Sequence, residues 1–221
     1  MGNSLENEKE TKKRLLECAL KEFSEKGYMK ASLRNICKEA GVTTGALYFF
    51  FKDKEDLFAC LVGEPLMKLK ELIKLHFEEE YKESQKIKKE EVNASQIIFR
   101  DEFEDDLEIS SQIIQYLFQN KEQFTLLLTK AQGSQFENIV DQIIGMVENH
   151  YVGMYAARKG YRSKREITKE DRFIVHWMAH DQIDIFIHVF IHCKDIKEAI
   201  TQIQNLTIYM IGGWKAVIGE K

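Results

Sequence analysis

The chain has 221 residues, 44% of them hydrophobic and 31% charged, with a formal net charge of -4. That length can bury a sizeable core, and that composition excludes a disordered chain. The net negative charge excludes a uniformly basic nucleic-acid coat, and a single proline, Pro65, argues against an all-β sandwich or a proline-rich linker. No apolar run reaches the roughly 18 residues that span a bilayer. The opening MGNSLENEKETKKR has no apolar core, so neither a secretory signal nor a membrane partner is expected, and the expected location is cytoplasmic. Cys18, Cys37, Cys60 and Cys193 lie far apart with no C-x-x-C pair, which argues against a disulfide framework or a thiolate zinc site.

Helical periodicity runs the length of the chain. Leu15, Leu16, Ala19, Leu20 and Phe23 line one face of a first helix, which Gly27 stops. Ser32 is placed to cap a short helix over 33–40, Gly41 breaks it, and Thr43 caps a third helix through Phe50. Asp53 caps a fourth, with Glu55 and Asp56 favourable in its first turn. Gly63-Glu64-Pro65 is expected to kink this helix without ending it, because the apolar spacing resumes at Leu66 and Leu69. The run from Lys82 to Glu91 reads as a loop or frayed end. Further helices are expected over 92–119, 121–131, 134–160, 169–193 and 195–218. The expected fold class is all-α, with a compact N-terminal head over 1–62 and a larger helical domain over 63–221.

Charge is not spread evenly. Between 26 and 54, Lys26, Lys30, Arg34, Lys38, Lys52 and Lys54 stand against only Glu39 and Asp53, a basic island on an acidic body. The same stretch has the grammar of a helix-turn-helix. Gly41 supplies a turn residue tolerant of positive φ, Cys37 is small where two helices approach, and Ile36, Val42 and Leu47 can lock the pair inward. The second helix of such a pair enters the major groove with its N-terminal half at the base edges. Thr43, Thr44, Gly45 and Ala46 occupy that half.

In register with these features stand Gly27-Tyr28, Ala40-Gly41-Val42, Gly45-Ala46-Leu47-Tyr48 and Phe51-Lys52-Asp53-Lys54-Glu55-Asp56-Leu57-Phe58. Over roughly residues 11 to 60 the chain resembles the tetracycline-repressor (TetR) family of bacterial transcription regulators. The resemblance implies a homodimer with a three-helix helix-turn-helix head and a larger helical domain that binds a small effector and dimerises. It implies a pseudo-palindromic double-stranded DNA operator, released when the effector binds. It assigns Ser32 and Arg34 to the backbone and groove edge, Thr43, Thr44 and Ala46 to bases, and Tyr48 and Lys54 to phosphate, with Lys52 on the same flank. Phe50 stands where the family often has a phosphate-donating histidine, and phenylalanine cannot donate. An interaction protein that has lost DNA binding is the alternative that this departure raises.

The rest of the chain matches the family only in general character. Phe99, Phe103, Leu107, Tyr116, Phe124, Tyr151, Tyr155 and Trp177 are the candidate effector-pocket residues, and an organic effector is expected over a metal. Phe173, Trp177, Phe186, Phe190, Ile203 and Met210 are the candidate dimer interface, because the last two helices are apolar on more than one side. His176, His180, Asp184, His188 and His192 recur at i, i+4 on one helix. An i+4 series drifts around the helix, so the five cannot meet one ion. A polar interface seam is the expected role, with a metal-responsive regulator as the rival. No nucleophile elbow, P-loop, dinucleotide fingerprint or H-E-x-x-H occurs, so no enzyme and no cofactor are expected.

Overall fold

The computed structural model describes the backbone of residues 2–87 and 95–218, and the side chains of residues 5–80 and 104–218. The described residues form an all-α chain: α1 (Gly2–Lys30), α2 (Leu33–Glu39), α3 (Thr44–Phe50), α4 (Lys54–Ile87), α5 (Ser95–Gln119), α6 (Lys121–Thr129), α7 (Ile139–Arg158), α8 (Lys169–His192) and α9 (Ile196–Ile218). None of these helices is long and apolar enough to cross a membrane.

The local signals act where they stand. Gly27 interrupts α1 at φ 73°, a conformation that L side chains rarely adopt. Ser32, Thr43 and Thr168 each accept a hydrogen bond from a backbone N–H in the first turn of the helix they cap. Asp53 Oδ1 accepts from Asp56 N at 2.8 Å at the start of α4. That helix continues through Pro65 to Ile87, so the expected loop from Lys82 is helical as far as 87, and residues 88–94 lie outside those described. Helix α7 starts at Ile139 rather than at 134. The Ser134 hydroxyl donates to Ala131 O at 2.7 Å and accepts from Phe136 N at 3.1 Å, an alternative to helical bonding that holds a turn there.

Two compact units emerge, and they are not contiguous in sequence. The first comprises Met1–Lys68 with Asn120–Ile139, the second Leu69–Gln119 with Val140–Lys221. The expected boundary at 62/63 is therefore corrected: α6 and the turn after it pack in the first unit. Tyr28 N donates to Lys130 O at 2.8 Å, and Gln135 N donates to Glu55 Oε1 at 3.0 Å. In this unit α1 packs against α2 and α6, and α2 against α3. Its core holds Leu15, Ala19, Phe23, Ile36, Leu47 and Phe58. Phe23, Tyr28 and Phe58 form an aromatic trio with ring centroids 5.0 to 6.0 Å apart.

In the second unit α5 packs against α8 and α9, and α8 against α9. One buried cluster joins Val152, Tyr155 and Ala156 of α7 to Ile167, Val175 and Ile218. Another joins Ile144 and Val147 to Ala179, with Phe77 and Ile183 packed against it.

Candidate nucleic-acid interface

Helices α2 and α3 are short, and their side chains divide cleanly. Ile36, Cys37, Leu47 and Phe51 are buried, which fixes the inward side of the pair. Gly41 carries the turn at φ 67°, and Val42 N donates to Cys37 O at 2.9 Å across it. Thr43 Oγ1 accepts from Ala46 N at 3.2 Å, which orients the first turn of α3. With the inward side fixed, Arg34, Thr43, Thr44, Gly45, Tyr48, Phe49 and Lys52 are left exposed. Ser32 is half-buried because its hydroxyl is the α2 cap, and Ala46 is half-buried as well. The Cys37 thiol is pushed up by burial, although a bond from Thr44 works the other way, so it is an inert packing group.

A buried carboxylate that the sequence pattern does not single out holds the entry to α2. Glu22 accepts from Lys26 Nζ at 2.9 Å, from Ser32 N at 3.0 Å and from the Asn35 amide at 3.4 Å. Burial works to raise its pKa, but the Lys26, Ser32 and Asn35 bonds outweigh it and hold Glu22 below the usual carboxylate range. Only its spacing from Lys26 is visible in the sequence; its contacts to Ser32 and Asn35 are made across the turn.

Lys54 is placed differently from the expected phosphate contact. Its ammonium donates to the carbonyls of Tyr28, Met29 and Ala31 at 2.8, 3.2 and 3.5 Å, and it lies 4.5 Å from the Tyr28 ring centroid. The carbonyls left free beyond Gly27 are a natural seat for a cation, so Lys54 ties α4 to the end of α1. Tyr28 in turn donates its hydroxyl to Glu55 Oε2 at 2.7 Å. Phe50 is half-buried and meets both Phe49 and Phe51 edge to face or tilted, so it packs in an aromatic row. Phe49 is 71% exposed, the most exposed large apolar side chain described, and it has no role among the expected contacts. Its neighbours on α3 were the signal: Phe49 lies outside the inward positions Leu47 and Phe51.

A sequence profile described as "Bacterial regulatory proteins, tetR family" matches residues 15–61, the stretch that builds this face. The chain carries a TetR-family head. The HTH-type transcriptional regulator AcrR of Shigella flexneri is 52% identical over 50 residues, 23% of this chain and 23% of that protein. The chain thus aligns with less than a third of the length of the curated relatives that it matches first. Fold likeness extends further than sequence likeness. A transcriptional regulator (TerR/AcrR family) from Aquifex aeolicus VF5 superposes with TM-score 0.53 at 20% identity, covering 88% of this chain and 96% of that one. NalD, the secondary repressor of the MexAB-OprM multidrug efflux pump in Pseudomonas aeruginosa, superposes with TM-score 0.53 at 15% identity, covering 91% and 96%.

The expected pocket residues that are described differ in burial and in the unit they belong to. Phe124 is a buried residue of α6 and belongs to the first unit, not the second. The side chains of Phe99 and Phe103 lie outside the described residues. Trp177 is 60% exposed, and Leu107 and Tyr116 are half-buried. Tyr151 and Tyr155 do come together, their rings 5.2 and 6.1 Å from Trp214. The Tyr155 hydroxyl donates to Asp171 Oδ1 at 2.7 Å and Tyr161 donates to Oδ2, so this pair anchors the start of α8. Of the expected interface residues, Phe186, Phe190 and Ile203 are buried within the chain itself. Phe173 and Trp177 are exposed, and Met210 is half-buried. The histidines of α8 pair with near neighbours instead of converging: His176 with Glu148 at 2.9 Å and with the His180 ring, and His188 with the His192 ring.

Proposed function

We propose that this protein is an operator-binding transcriptional regulator, a repressor, whose head reads DNA through α2 and α3 and whose second unit takes a small effector. The observation that carries the reading is the outward face of α3. Thr43, Thr44, Gly45 and Tyr48 stand exposed at the N-terminal side of a short helix whose other side is locked by Leu47 and Phe51. Arg34 and Lys52 flank them and are exposed, so they are the cations available to phosphate. Chemistry is not part of the reading: the matched relatives are named as transcriptional regulators.

The active form is a two-fold dimer, which presents two heads to a pseudo-palindrome. Phe173, Trp177 and Ile191 of α8 and Ile208 and Tyr209 of α9 are exposed, more apolar surface than a helix pair leaves in water without a partner. Trp177→Glu is expected to give a monomer by light scattering.

Binding to DNA from upstream of its own gene, followed by fluorescence anisotropy across a salt series, tests the head. Arg34→Ala and Lys52→Ala should each flatten the slope of log K against log salt by about 0.9 for every phosphate that is no longer neutralised. Thr44→Ala should change which operators bind and leave that slope intact. No salt-dependent binding by the wild-type chain would refute the reading in favour of an interaction protein.

A further inference from the structure

Four side chains of the second unit converge from three helices. His76 and Glu80 stand one turn apart on α4, Asp106 is on α5 and His150 is on α7. His76 Nε2 lies 3.6 Å from Glu80 Oε2 and 3.4 Å from Asp106 Oδ1, and His150 Nε2 lies 2.6 Å from the same Glu80 Oε2. All four are partly or largely shielded, with His76 and His150 side chains 15% and 12% exposed. Phe77 stacks on the His150 ring at 3.8 Å between centroids and fixes its plane.

His76 Nε2 faces a carboxylate from its own helix and another from α5 at similar distances, more than one imidazole N–H serves fully. The ligand atoms of His76, Glu80 and Asp106 all lie within 4.8 Å of one another. Metal–ligand bonds of about 2.0–2.2 Å in a tetrahedral site separate the ligand atoms by about 3.3–3.6 Å, which matches the His76–Glu80 and His76–Asp106 spacings. We propose that His76, Glu80 and Asp106 bind one divalent transition-metal cation of the zinc class, with His150 hydrogen-bonded to the Glu80 carboxylate beside them.

One imidazole and two carboxylates suit zinc, whereas calcium and magnesium prefer all-oxygen sites. The set is separate from the α8 histidines. It goes beyond the operator-binding reading and stands without it, because binding is read on the chain with no DNA present.

Calorimetric titration of the metal-free chain with Zn²⁺, repeated with Co²⁺ by visible absorption, tests the assignment. One cation per chain is expected, with a rise in melting temperature. Asp106→Asn and His76→Gln should each weaken binding by at least about tenfold, while His176→Gln leaves it unchanged. The imidazole resonances of His76 and His150 in the wild-type chain should both shift on adding Zn²⁺, a readout that needs no variant to fold. Absence of stoichiometric binding would overturn the proposal. So would imidazole shifts confined to the α8 histidines, or loss of binding in His176→Gln with Asp106→Asn unaffected.

Discussion

The two units solve the same packing problem with different materials. The first is held by an aromatic and aliphatic core around Phe23, Tyr28 and Phe58, by the buried Glu22 and by caps whose partners lie three residues away. The second brings half-buried titratable groups of different helices together: the His76–Glu80–Asp106–His150 cluster and the Asp171 anchor for Tyr155 and Tyr161. A head that presents a fixed set of side chains needs rigid local geometry. A body that adapts to a ligand can keep polar groups whose pairing changes when the ligand arrives. Sequence likeness to the relatives falls on the head, whereas fold likeness extends over most of the chain.

The largest expected effect lies in the head's core. Phe58→Ala removes a fully buried ring from the trio and should cost about 3–5 kcal/mol in a urea melt. A loss under about 1 kcal/mol would mean that the head is no better packed than a surface. Next in size is Glu22→Gln, the one buried carboxylate of the head's entry turn. It should cost about 1.5–3 kcal/mol at neutral pH. The folded pKa of Glu22 is depressed, so its contribution is full above the unfolded carboxylate range and is lost as pH falls through the folded value. Wild type and variant should therefore converge in acid.

In the body, Asp171→Asn weakens the seats of two tyrosine hydroxyls and should cost about 1–2 kcal/mol. The bond from Tyr155, then that from Tyr161, holds Asp171 below the usual carboxylate range, so this difference too should vanish on acidification, not on raising the pH. A pH-independent gap would show that packing of the tyrosines, and not the charge, anchors α8. The smallest effect belongs to the caps. Thr43→Ala should cost about 1 kcal/mol of head stability, with a proportionate loss of operator affinity if cap and recognition face are one unit. A larger loss of affinity than of stability would assign Thr43 a contact of its own with DNA.

Much of the head was legible because its signals are local. Gly27, Ser32, Gly41, Thr43 and Asp53 act on backbone groups within a few residues, and the apolar spacing of Leu15, Ala19 and Phe23 states which side turns inward. The seat of Lys54 was hidden for the complementary reason. Its place in the motif is visible, but the carbonyls that seat it belong to the end of α1, more than twenty residues back. The apolar richness of α8 and α9 was equally visible, yet it left open which residues face out, and Phe186, Phe190 and Ile203 turned inward while Phe173 and Trp177 stayed exposed.

The sequence alone determined the all-α class, the starts of α2, α3 and α4, and the register of the helix-turn-helix, because each follows from periodicity and capping along a few neighbouring residues. Tertiary structure alone decided that α6 joins the first unit, that Glu22 reaches Ser32 and Asn35, and that His76, Glu80, Asp106 and His150 meet. Those are contacts between helices separated by loops. Hydrophobic periodicity says that a side must be buried but not against what, and only the packed chain chooses the partner.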